Sequence, residues 1–125
     1  MTLSFISIVM VLGLPSPQTD QLDELRLVSS QLALGQVCEA IEKTTINYEA
    51  LTQYVETLND QAQAAGASRE AINDAQEKGF VDSMARLEND YGAGRQSPAF
   101  PRLVAECETL TREQARFYGP YAPQD

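Results

Sequence analysis

From residue 25 onwards apolar side chains recur at three- and four-residue steps, and beyond residue 19 no segment alternates between apolar and polar. That period matches the 3.6 residues of a helical turn and not the two-residue repeat of a strand. With 125 residues the chain is long enough for one modest core and too short for two. The expected fold class is all-α, a small bundle of about four helices with one disulfide. The expected division is a signal peptide over 1–19, a helical domain over 20–118 and a C-terminal tail over 119–125.

The punctuation between segments is clear. The first helix is expected to open near Thr19-Asp20, with Asp20, Asp23 and Glu24 at the positive end of its dipole. Leu25, Val28 and Leu32, then Leu34, Cys38 and Ile41, form its apolar stripe, and Gly35 between the two sets shifts it. Thr44-Thr45 is the expected break, with a continuous helix into the next segment as the alternative. The second helix turns Leu51, Tyr54, Val55, Leu58, Ala62 and Ala65 to one face, and Gly66 closes it as a C-terminal cap. Ser68 is the N-cap of the third, which is expected to point Ile72, Phe80, Met84, Leu87 and Tyr91 inward and to end at Gly92 and Gly94. The fourth starts at Ser97-Pro98 or Phe100-Pro101 and buries Leu103, Cys107 and Leu110, with Phe117 a candidate to extend the stripe. Glu39→Lys43, Asp74→Lys78, Asp82→Arg86 and Glu108→Arg112 each set an acid four residues before a base, the order that supports a helix.

Residues 1–19 carry no charge and include an apolar run from Leu3 to Leu14, ahead of Pro15-Ser16-Pro17. Twelve residues rise about 18 Å as a helix, short of the roughly 30 Å hydrocarbon core, so no stable membrane span is expected. The run has the length of a secretory signal, although no base precedes it and the cleavage site is poor. Export to a periplasmic or extracellular space is the preferred reading; a buried N-terminal helix or strand is the alternative. Cys38 and Cys107 follow the same choice: a disulfide in an oxidising compartment, or two reduced core thiols otherwise.

The remaining chemistry is mostly excluded by composition. A formal charge of −9 opposes nucleic acid and anionic membranes. Without His, the Ser-His and Cys-His arrangements are missing, and two Cys cannot complete a structural zinc site. Gly92-Ala93-Gly94 lacks the Lys and the strand of a phosphate loop. Glu88-Asn89-Asp90-Tyr91-Gly92 lacks the later ligands of a calcium loop and reads as a helix end. No catalytic, cofactor or metal site is expected, and the chain is read as a non-enzyme.

One surface stands out. Glu49, Gln53, Glu56, Asp60 and Gln63 form a helical row opposite the apolar face of the second segment, with no base on it. Such a row suits a basic protein partner; it also serves as a solvated face that keeps a protein soluble. The aromatic tail Phe117, Tyr118 and Tyr121 is expected to fold back over the bundle end rather than to dock elsewhere. Cys38 on a first helix, Tyr54-Val55-Glu56-Thr57-Leu58, Ala64-Ala65-Gly66-Ala67-Ser68, a glycine-rich break and a helix-borne Cys107 together resemble small exported two-cysteine helical proteins of alphaproteobacteria. The resemblance covers roughly residues 25–115 and implies an envelope location without an activity. The expected function is that of an exported interaction or accessory module, with an acid-responsive holdase as the alternative.

Overall fold

In the computed structural model, residues 17–123 are described. The expected signal run of residues 3–14 lies outside them. Four helices follow one another: α1 (Pro17–Ala40), α2 (Tyr48–Ala64), α3 (Arg69–Tyr91) and α4 (Phe100–Glu113). Two short strands, β1 (Thr44–Ile46) and β2 (Tyr118–Pro120), pair antiparallel with Ile46 opposite Tyr118. The fold is a four-helix bundle with a minor two-stranded sheet, and it carries the Cys38–Cys107 pair.

Local chemistry explains the boundaries. Asn47 caps α2 by accepting the Ala50 N–H at 3.1 Å, and Ser68 caps α3 by accepting the Ala71 N–H at 3.0 Å. At the end of α2, Gly66 takes a positive φ of 101°. The Gly66 N–H bonds to the Gln63 carbonyl and the Ala67 N–H to the Ala62 carbonyl, which satisfies carbonyls the helix leaves open. The same pair of bonds ends α1, from Glu42 to Glu39 and from Lys43 to Cys38, with Glu42 at φ 61° in place of a glycine.

α1 is the central element and packs against α2, α3, α4 and β1. It serves two cores in succession. Leu25 and Val28 join Leu51, Leu58 and Ala62 of α2 and Ile72 and Ala75 of α3; Ala33, Cys38 and Ile41 join Leu87, Tyr91, Leu103 and Cys107. Between α1 and α3 the backbones come close. A Cβ on Gly79 would lie 2.2 Å from the Arg26 carbonyl oxygen, and Ser83 Oγ donates to the Ser30 carbonyl at 3.0 Å. Contacts at 26 with 79 and at 30 with 83 make the two helices run parallel.

Several sequence expectations need correction. Met84 is exposed, because the seam of α3 runs through Ile72, Ala75, Gly79, Ser83, Leu87 and Tyr91 and leaves Phe80 and Met84 one position off it. Ala65 is exposed as the C-cap residue of α2 and does not join its apolar face. The break at Thr44-Thr45 is a strand held by the tail, and Phe117 is buried in the turn after α4 rather than on that helix. None of the four acid-before-base pairs forms an ion pair among the described residues. Lys78 instead reaches forward to Asp82 at 3.0 Å, and Arg86 to Asp90 and Glu106.

Candidate interaction surface

Cys38 and Cys107 are fully buried, one on α1 and one on α4, with their Cα atoms 5.7 Å apart and their sulfurs bonded. Leu103 and Leu110 flank Cys107 one turn away on each side and are equally buried. The stripe that places Cys107 in the core is therefore the one read from the sequence.

Glu49, Gln53, Glu56, Asp60 and Gln63 are all exposed along one side of α2, while Leu51, Leu58 and Ala62 occupy the core on the other. No Lys or Arg lies anywhere in residues 44–68. Glu56 and Asp60, four residues apart, repel with no base between them. On the flank of the same helix Arg116 stacks 4.4 Å from the ring centroids of both Tyr54 and Phe117, and the Tyr54 hydroxyl donates to Glu24 of α1. Phe117 and Tyr118 are buried, so the aromatic tail folds back as expected; Tyr121 stays partly exposed.

A polar constellation that the sequence reading did not single out joins α3 to α4. Arg86 grips both oxygens of Glu106, at 2.9 and 3.2 Å, and the Tyr91 hydroxyl donates to Glu106 as well. Arg102 lies over the Tyr91 ring. Burial pushes the Glu106 carboxyl up, but the hydrogen bonds from Arg86 and Tyr91 and the Arg86 charge outweigh it and hold it below the usual carboxylate range. The bond to Glu106 in turn raises Tyr91 and Arg86. A carboxylate already accepting three donors is suited to tying two helices together rather than to taking up a proton. Beside it runs a groove of about 450 Å³ between α1 and α4, lined by Gln31, Leu34, Arg102 and Glu113 among others. The hint in the sequence was position alone, since Glu106 borders the buried stripe of α4 directly beside Cys107.

The Glu88-to-Gly92 segment is the last turn and cap of α3, where Asp90 pairs with Arg86 and Tyr91 enters the core. Among the described residues no group of three His, Cys, Asp or Glu side chains is placed to hold a metal ion, and no helix is long and apolar enough to cross a membrane. No family model, curated protein or solved structure matches the chain.

Proposed function

We propose that this chain is an exported, non-enzymatic helical module that binds a basic surface of another protein through the outer face of α2. The observation that carries this reading is the row Glu49, Gln53, Glu56, Asp60 and Gln63, exposed throughout and without a base. Solubility alone is served as well by interspersed charges of both signs, whereas Glu56 beside Asp60 costs the isolated helix about 0.2–0.5 kcal/mol. The Cys38–Cys107 bond supports an oxidising compartment, as do the apolar run of residues 3–14 and the resemblance to exported alphaproteobacterial proteins. On this reading the mature chain begins between Leu14 and Asp20, and nucleic acid is not a partner.

The test is affinity capture from the native envelope with the disulfide-bonded protein beside a Glu49→Lys, Glu56→Lys, Asp60→Lys variant. A partner held by the native row alone is expected; identical capture by both would remove the row from the function. A second reading, an acid-responsive holdase, draws on the Glu106 tie between α3 and α4, which acid releases. Binding of a hydrophobic dye near pH 3–4, with suppression of client aggregation, would favour it.

A further inference from the structure

We propose that the cleft bounded by Glu39, Thr45, Tyr48, Tyr121 and Ala122 is a binding site for an arginine side chain presented by a partner polypeptide. Four elements meet there: the last turn of α1 supplies Glu39, β1 supplies Thr45, the first residue of α2 is Tyr48, and Tyr121 follows β2. The Ala122 N–H donates to Thr45 Oγ1 at 2.7 Å, which fastens the tail across the cleft and fixes Tyr121 beside it. The cleft is open to solvent, and its volume of about 340 Å³ lies at the small end of ligand pockets and suits one side chain rather than a cofactor.

The carboxylate is poised for a forked cation. Glu39 Oε1 accepts the Tyr48 hydroxyl at 3.2 Å and Oε2 accepts the Ile46 N–H at 3.3 Å. Each oxygen keeps a further lone pair, and two parallel acceptors are what a guanidinium fork fits. Glu39 also sits at the negative end of the α1 dipole, where a carboxylate is disfavoured, and no base occupies the last turn of that helix. Lys43, four residues on, does not line the cleft and makes no ion pair with Glu39. A cation entering the cleft relieves that mismatch.

The walls point the same way. Tyr48 and Tyr121 are 46% and 37% exposed, two of five large apolar side chains left at the surface among the described residues. Elsewhere the chain covers its own rings with arginine: Arg95 lies over Phe100, Arg102 over Tyr91, and Arg116 over Tyr54 and Phe117. Among the described residues no arginine or lysine lies over Tyr48 or Tyr121, so the cleft offers two uncovered tyrosines and a carboxylate to a cation from outside. The net charge of −9 draws a basic partner in. This site stands on its own geometry and does not require the acidic row, although Glu49, next to Tyr48, opens that row.

The experiment is an NMR titration of the full, disulfide-bonded chain with the blocked tripeptide Gly-Arg-Gly, its uncharged citrulline counterpart and the lysine tripeptide. Saturable shifts at Thr45, Tyr48, Tyr121 and Ala122 are expected with the arginine peptide, and affinity weaker by about tenfold with citrulline. Glu39→Gln is expected to cost about tenfold. Tyr121→Ala, at a surface position outside both cores, is expected to cost about threefold with helix content unchanged. Glu56→Gln and Asp60→Gln on the row leave the cleft titration as it was, which separates this site from the function proposed for α2. Absence of saturation, equal affinity for the citrulline or lysine peptide, or native affinity in both cleft variants overturns the proposal.

Discussion

Glu42 and Gly79 are two places where side-chain size at a single backbone position decides stability, with opposite signs. Glu42 holds the left-handed conformation that ends α1, at φ 61°. A side chain there costs about 1–2 kcal/mol, against about 0.5–1 kcal/mol of extra unfolded-state entropy for glycine. Glu42→Gly should therefore raise stability by about 0.5–1 kcal/mol, read as a higher denaturant midpoint at unchanged slope. Gly79 carries the opposite expectation. Alanine gains about 0.5–1 kcal/mol in helix preference, but its Cβ would meet the Arg26 carbonyl at 2.2 Å, and a backbone atom cannot swing aside. Forcing the helices apart costs about 1–3 kcal/mol, so Gly79→Ala should destabilise. A Gly79→Ala midpoint at or above the native value would show that α1 and α3 separate without cost.

The tie between α3 and α4 belongs to the scale of elements, because Glu106 gathers Arg86 and Tyr91 from the neighbouring helix. Its carboxyl is held below the ordinary value in the folded chain, so the unfolded chain binds that proton more readily. The stability it contributes is present above the ordinary carboxyl pKa of about 4.3 and is lost as pH falls through the lowered folded value. Glu106→Gln should lower the melting temperature at neutral pH and lose less than the native chain between about pH 5 and pH 3. Circular dichroism melts across that range check it; parallel native and variant curves would assign the acid response to other carboxylates. This tie also shows why ion pairs were misread from spacing. Arg86 has Asp82 one turn behind and Asp90 one turn ahead, and the i,i+4 rule ranks these pairs without seeing the neighbouring helix. Glu106, across the interface, turns the guanidinium forward.

At the scale of the molecule, legibility followed how many sides of an element are buried. α2 and α4 each bury one face, so their large apolar residues and the Cys107 register could be read directly from a 3.6-residue period, whereas the Asn47 cap of α2 was not singled out. α1 touches nearly every other element, and its meeting with α3 is made by Gly79 and Ser83, which an apolar count passes over. Three-residue strands are too short to show alternation, and β1 finds β2 more than 70 residues away, so the sheet and the Glu39 cleft beside it left no local pattern. The disulfide was readable because each cysteine lay in a single-helix stripe. It closes a separation of 69 residues that contains all of α2 and α3, and the chain-entropy relation gives about 4 kcal/mol for such a loop. Against the 5–15 kcal/mol of a typical small domain, its loss should lower Tm strongly while the helices persist at low temperature. The two cores divide the effect. Cys38 and Cys107 lie with Leu87, Tyr91 and Leu103, whereas Leu25, Leu51, Leu58 and Ile72 are buried in the other cluster. Reduction, or Cys38→Ala with Cys107→Ala, should therefore expose amides of α4 to hydrogen exchange before those around Leu58 of α2. Uniform loss of protection would mean that the two clusters unfold as one unit, and that the bond stabilises the whole bundle through the unfolded chain alone.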